Sequence, residues 1–127
     1  MIHLDTNVLI ALPRWSQAGH PLIDRIRVGE QVGASTITWF EYCNGPLSEG
    51  HMDFCRSLID GDLDAFDERA SLIASRLFNA TSRRRGLKSD ACIAATAIRA
   101  GAEFATLNGP DFEPFVPLGL RLLALSP

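Results

Sequence analysis

The first ten residues of the chain, MIHLDTNVLI, constrain the fold more than any other stretch. An apolar run too short for a helix reaches an acid at Asp5, and apolar residues resume at Val8. This pattern predicts a buried strand that turns into a helix at Thr6 or Asn7. Asp5 would then stand at the carboxyl end of a strand, where ligands bind in open α/β sheets. Asp5 also suits the cap of the following helix, so this acid alone leaves both interpretations open.

The length of 127 residues predicts a single domain that covers residues 1–127. No apolar run approaches the roughly 18 residues that a membrane span requires, and the start does not resemble a signal peptide. The three cysteines, Cys43, Cys55 and Cys92, contain no CxxC pair, which argues against a disulfide framework or a structural zinc. We therefore expect a cytoplasmic protein.

The formal charge of −3 excludes a protein that binds nucleic acid through an overall basic surface. A polyanionic partner would have to be held by local basic clusters or by bound cations. The main basic cluster consists of Arg83, Arg84 and Arg85, which Lys88 extends. Cations also suit the C-terminus of a helix, so this cluster is either a solvated helix end or a surface that holds a phosphate backbone.

The rest of the chain alternates between predicted strands and helices. After the first strand we predict further strands at 31–36, 102–107 and 120–125, and a turn into a short strand within 61–66. We predict a short first helix ended by Pro13, further helices at 21–27, 37–43, 47–60, 67–85 and 89–101, and a turn at 108–112. Alternation of this kind predicts an α/β fold with a parallel sheet, in which all carboxyl ends of the strands share one edge.

Two further acids lie where they could reach that edge. Glu41 is the lone acid of an unusually apolar helix, so it either points to solvent or is stabilised by a cation. Asp90 opens the helix at 89–101, for which Ser89 is the expected N-cap. It shares a face with the apolar positions Ile93 and Ala97, which predicts that its carboxyl points inward.

Asp5, Glu41, Asp90 and the pair Asn108 and Asp111 should therefore meet at one edge of the sheet. Several carboxylates in one crevice repel one another unless cations neutralise them, and all-oxygen ligand sets select Mg²⁺ or Mn²⁺.

Four motifs in this order resemble a PIN domain of the VapC toxin type. They are the DTNxLI pattern at Asp5, an acid-bearing helix at Glu41, the DAxIAATA pattern at Asp90 and the turn TLNGPDF that holds Asn108 and Asp111. The resemblance covers essentially the whole chain. It implies a single-domain, three-layer PIN-like fold with a central, mostly parallel sheet of four or five strands flanked by helices.

The resemblance also implies a function. Such a protein would be a Mg²⁺-dependent (or Mn²⁺-dependent) endoribonuclease, usually a homodimer, and the toxin of a pair held inactive by a small cognate antitoxin. Asp5 and Asp90 would be the core metal ligands, and Glu41 a ligand or a base that orients water. Asp111 and Asn108 would either bind the metal or hold its ligands in place.

The bound metal would activate water for in-line hydrolysis of an RNA phosphodiester. Thr6 could fix the Asp5 carboxylate by a hydrogen bond. Arg83, Arg84, Arg85 and Lys88 would hold the RNA backbone.

Three other classes of protein could also place an acid at the end of a first strand. A phosphatase of the HAD type should carry a second Asp two residues after Asp5, where this chain has Asn7. A receiver-like signalling module needs a Lys near the end of a late strand, whereas Lys88 precedes a helix. A non-catalytic, metal-binding interaction domain remains open.

Overall fold

The computed structural model describes residues 1–45, 48–83 and 85–127, in which four strands and seven α-helices are seen. The strands are β1 (Ile2–Leu4), β2 (Val32–Gly33), β3 (Glu103–Thr106) and β4 (Arg121–Ala124). The helices are α1 (Thr6–Ala18), α2 (Pro21–Arg27), α3 (Thr36–Cys43), α4 (Glu49–Leu58), α5 (Glu68–Ala80), α6 (Lys88–Ala100) and α7 (Gly109–Phe112). No helix of the described ranges is long and apolar enough to cross a membrane.

The strands form one parallel sheet in the order β2-β1-β3-β4. In the central strand β1, Ile2 lies opposite both Val32 of β2 and Glu103 of β3. The amide of Asp5 continues the ladder, because its N–H donates to the carbonyl of Ala105 at 2.9 Å. All four strands therefore end at the same side, which we call the carboxyl edge. This confirms the predicted α/β class and the parallel sheet.

Helices cover both faces of the sheet. Ile2 and Leu4 project into a core formed with α1, α2 and α4, whereas Phe104 projects into a second core formed with α5, α6 and α7. Alternation along a strand places successive side chains on opposite faces, so His3 lies on the same side as Phe104. His3 is 1% exposed, and its Nε2 lies 2.5 Å from Oδ2 of Asp64. The three-layer arrangement is thus confirmed.

Pro13 does not end the first helix, as the sequence pattern suggested. Helix α1 continues through Pro13 to Ala18. A proline inside a helix leaves the carbonyl four residues earlier without its usual partner. Here that carbonyl belongs to Leu9, and the thiol of Cys55 on α4 donates to it at 3.3 Å. A contact from a distant element therefore satisfies the group that the proline cannot.

Helix α5 is shorter than predicted and does not include the arginine cluster. It ends at Ala80, and Ser82 and Arg83 adopt left-handed backbone conformations with φ of 68° and 54°. The hydroxyl of Thr81 donates to the Leu77 carbonyl at 2.8 Å and satisfies part of the helix end. The prediction of a helix to residue 85 was therefore wrong, because the left-handed backbone at Ser82 and Arg83 cannot continue a right-handed helix.

The strand predicted at 61–66 is also absent from the described structure, which has only an isolated bridge between Ser35 and Asp64 there. The chain leaves the ladder because the Phe66 amide donates to the Thr36 hydroxyl rather than to a strand carbonyl.

The turn predicted at 108–112 contains the short helix α7. Of the helix predicted at 47–60, the start at Leu47 lies outside the described residues.

Candidate metal and catalytic site at the carboxyl edge

Asp5 lies where β1 passes into α1. Its Oδ1 accepts from the Thr6 amide at 2.8 Å, so it does cap the helix. Its Oδ2 accepts from the hydroxyl of Thr106, at the end of the neighbouring strand β3, at 2.7 Å. The side chain is 6% exposed, and burial raises the pKa of its carboxyl, with a further contribution from Glu41. Capping and a place in the acidic site are thus compatible.

Glu41 on α3 points towards α1 and α6. Its Oε1 accepts from the Thr6 hydroxyl at 2.9 Å, and its Oε2 accepts from the Ser89 hydroxyl at 2.6 Å. The half-buried carboxylate is therefore fixed between two helices rather than extended into solvent. Its charge contributes to raising the pKa values of both Asp5 and Asp90.

Asp90 stands in the first turn of α6 and is half-buried, as its position on the apolar face predicted. Burial is the main cause that raises the pKa of this carboxyl to about 6, followed by the charges of Asp5, Asp111 and Glu41. Within the described residues no hydrogen bond offsets this repulsion. Burial and the neighbouring acids thus both disfavour the charged form of Asp90.

Asn108 and Asp111 form the exposed rim of the site. The amide nitrogen of the Asn108 side chain donates to Oδ2 of Asp111 at 2.6 Å, and the Asn108 backbone N–H donates to the Thr106 hydroxyl at 2.9 Å. Asp111 is near enough for its charge to raise the pKa of Asp90. Asn7 ties the same loop to α1, because its side-chain oxygen accepts from the Leu107 amide at 3.2 Å.

Sequence reasoning missed the contacts that two hydroxyl groups, those of Thr106 and Ser89, make with the acids. The Thr106 hydroxyl donates a hydrogen bond to Asp5, although the sequence indicated only that Thr106 lies at the end of a predicted strand. Ser89 was expected to cap α6, but the helix begins one residue earlier at Lys88, and the Ser89 hydroxyl bonds Glu41 instead. The signal in the sequence for this contact was a serine directly before an inward-facing acid.

The chemistry of this cluster fits a hard divalent cation. Its donors are carboxylate and amide oxygens, the ligands that Mg²⁺ and Mn²⁺ prefer. Among residues 1–45, 48–83 and 85–127, no three His, Cys, Asp or Glu side chains already stand close enough together to coordinate one ion. The fit rests on Asp90, because a cation would remove the repulsion that its carboxyl experiences from three other acids.

The basic residues are only partly described. The exposed Lys88 begins α6, and its ammonium lies 5.7 Å from the centre of the Phe78 ring. The guanidinium of Arg83 donates to the Asn79 side chain at 3.0 Å. Arg84 and the side chain of Arg85 lie outside the described residues.

A comparison with protein families decides the classification. The model of the PIN domain matches residues 2–113, nearly the whole chain. This chain belongs to the PIN-domain family. The match includes β1 to α7 and therefore the four acids Asp5, Glu41, Asp90 and Asp111, which we call the acidic cluster, together with Asn108.

Solved structures of similar fold support the same architecture. VapBC2 from Rickettsia felis, bound to a DNA fragment from its promoter, has a TM-score of 0.75 and 19% identity, covering 99% of this chain and 100% of that one. A toxin-antitoxin complex from Klebsiella pneumoniae has a TM-score of 0.70 and 22% identity, covering 98% and 97%. FitAcB from Neisseria gonorrhoeae has a TM-score of 0.67 and 23% identity, covering 97% and 96%. No curated protein matches this chain significantly.

The raised pKa of Asp90 predicts how stability depends on pH in chelator. The folded state holds this proton more tightly than the unfolded chain, so the contribution to stability is complete below about pH 4 and is lost as pH rises through about 6. Asp90→Asn should therefore be more stable than the wild type at pH 7 by about 1–2 kcal/mol, a value reduced for solvent at the half-exposed carboxyl.

Chemical denaturation at pH 4 and pH 7 in chelator measures this difference, with the exposed loop acid in Asp62→Asn as control. A difference between Asp90→Asn and wild type that is the same at both pH values would contradict the electrostatic account. Mg²⁺ added at pH 7 should stabilise the wild type more than Asp90→Asn.

Proposed function

We propose that this protein is a metal-dependent endoribonuclease and the toxin of a toxin-antitoxin pair. The observation that carries this proposal is the convergence of Asp5, Glu41, Asp90 and Asp111 at the carboxyl edge of a PIN domain, where burial and then the charges of the other three acids raise the pKa of Asp90. The cluster is too acidic to attract a phosphodiester by itself. It therefore needs a cation, which would reverse the local charge.

We assign the following roles to the residues of the site. Asp5 and Asp90 hold Mg²⁺ or Mn²⁺, and Asp111 or Asn108 completes the set at the rim. When bound, the ion would lower the pKa of a water molecule and stabilise charge on the phosphoryl group during in-line hydrolysis. Glu41 acts as a ligand or as the base that orients the water.

Hydroxyl groups keep these carboxylates in position. Thr106 holds one oxygen of Asp5, while Thr6 and Ser89 hold the two oxygens of Glu41. These contacts fix the carboxylates before the metal arrives, which reduces the reorganisation needed on binding.

The structure gives the phosphatase and receiver alternatives little support. Asn7, which stands where a HAD phosphatase would carry its general acid, uses its side chain to hold the Leu107 amide. Lys88 lies over the Phe78 ring at the start of a helix rather than at the end of a strand. A metal-binding domain without catalysis stays an alternative, and the cleavage assay distinguishes it from a ribonuclease.

The partner that we propose is a small cognate antitoxin. The similar structure from Klebsiella pneumoniae is a toxin-antitoxin complex, and Phe40, beside Glu41 in sequence, is 65% exposed. A segment that places an arginine on the carboxylates and apolar side chains on Phe40 would compete with the metal. We further propose that residues 1–127 form one domain, which works as a cytoplasmic homodimer.

Substitution of the acids tests the reaction. Asp5→Asn and Asp90→Asn should each lower kcat/KM for RNA cleavage at least about 100-fold, since loss of a supporting residue alone typically costs 10–100-fold. Glu41→Gln should also reduce cleavage, and Ser89→Ala should do so by about 10–100-fold. Chelator should abolish the wild-type activity, and Mg²⁺ or Mn²⁺ should restore it.

Asp53→Asn, which removes an exposed acid of α4, is the matched control and should retain full activity. Cleavage by Asp5→Asn or Asp90→Asn within a few-fold of wild type would refute the assignment. Loss of stability without loss of activity in Glu41→Gln would return that residue to a structural role.

The basic cluster provides a second test, because Arg83, Arg84, Arg85 and Lys88 are proposed to hold the RNA backbone. Replacing the three arginines with Ala should raise KM, leave kcat largely unchanged and flatten the salt dependence of KM by about one unit of slope per lost phosphate contact. Arg27→Ala on α2 is the control. An unchanged KM together with an unchanged salt slope would remove the cluster from the RNA-binding surface.

A further inference from the structure

A cavity of about 310 Å³ opens between α5 and α6, outside the acidic cluster. Its volume is near the lower end of the ~300–1,000 Å³ that is typical of ligand sites. The walls are mainly apolar, and the residues that matter for its chemistry are Phe66, Ala74, Phe78, Lys88, Ser89 and Cys92. Both phenylalanine rings are half-buried and pack on the core with part of each ring accessible.

The cavity adjoins the proposed catalytic site through one residue. Ser89 lines the cavity and also donates its hydroxyl to Oε2 of Glu41 at 2.6 Å. Asp90, the next residue, belongs to the acidic cluster. Because Ser89 contacts Glu41 and lines the cavity, a ligand chain bound at the carboxylates would have its adjacent group near this cavity.

The chemistry of the cavity suits a planar aromatic group attached to an anion. The accessible rings of Phe66 and Phe78 offer stacking surface, and the Lys88 ammonium lies over the Phe78 ring. The exposed Lys88 is free to turn to an anion at the cavity mouth while the ring remains for stacking. Nucleobases stack on aromatic side chains when a single-stranded RNA offers them unpaired.

We propose that this cavity binds one unstacked base of the RNA, next to the phosphate that is cut. Phe78 supplies the stacking surface, and Lys88 pairs with the phosphate of the same nucleotide. The inference rests on the proposed ribonuclease function and extends it: the enzyme selects cleavage sites by the base that this cavity accepts. Phe78 is thus a residue that determines specificity rather than a participant in the chemical step.

The test compares cleavage of a short single-stranded RNA with cleavage of the same RNA carrying one abasic nucleotide at each position in turn. In the wild type, an abasic nucleotide at one fixed distance from the cut should raise KM about fivefold or more. In Phe78→Leu, KM should already be raised and the abasic nucleotide should raise it no further. Phe78→Tyr, which keeps the stacking surface, should restore the abasic response that Phe78→Leu loses.

Two more variants distinguish loss of the base site from a folding defect. Ser75→Leu, at an exposed position of α5 that lines the cavity, should block the base and raise KM as Phe78→Leu does. Leu72→Ala removes an exposed apolar side chain from the same helix away from the cavity and should change nothing. Thermal unfolding should show that all variants are folded at the assay temperature.

Each outcome decides the proposal. If RNA is cut but Phe78→Leu and Ser75→Leu keep the wild-type KM and abasic response, the base site is refuted while the ribonuclease stands. A shift of these variants towards monomers in sedimentation, with an unchanged abasic response, would assign the cavity to a second copy of the chain and also refute it. If no RNA is cut, the ribonuclease fails, and binding of the same RNAs, measured by fluorescence anisotropy, decides the base site separately.

Discussion

Repulsion between carboxylates at one edge of the sheet is the constraint on which the arrangement of this site depends. Asp5, Glu41 and Asp90 come from three elements that the parallel topology carries to the same place. Hydroxyls of Thr6, Ser89 and Thr106 take up part of their negative charge, but Asp90 receives no such contact from the described residues. The carboxylates at this edge therefore repel one another in the folded chain, and a bound cation would reduce that repulsion.

Contacts elsewhere in the fold hold the elements that form this edge in place. The central strand β1 is buried on both faces, and His3 within it bonds Asp64 in the segment before α5. Helix α1 extends past Pro13 because Cys55 supports the Leu9 carbonyl from α4. Long-range contacts of this kind fix the element that starts at Asp5. The proposed site brings four like charges together and needs such support, because flexible carboxylates would move apart.

The sequence predicted the sheet and the acids better than the element ends. A strand that ends in an acid and an inward-facing acid in a helix are local patterns, so Asp5 and Asp90 could be placed from residue order alone. The ends of helices were predicted less well. Cys55, which satisfies the Leu9 carbonyl that Pro13 leaves without its helical partner, is 46 residues away from it in the chain. The left-handed backbone at Ser82 and Arg83, which ends α5, has no glycine to announce it. Ser89 was misassigned as a cap because its partner, Glu41, is 48 residues away in the chain.

The central claim is that these carboxylates form one divalent metal site, and crystals grown with Mn²⁺ test it most directly through anomalous scattering. The account predicts a Mn²⁺ peak within about 2.0–2.3 Å of oxygens of Asp5 and Asp90, with Glu41, Asn108 or Asp111 reached directly or through water. The peak should be lost in Asp90→Asn crystals grown in the same way. A peak only at another place, or a site unchanged in Asp90→Asn, would contradict it.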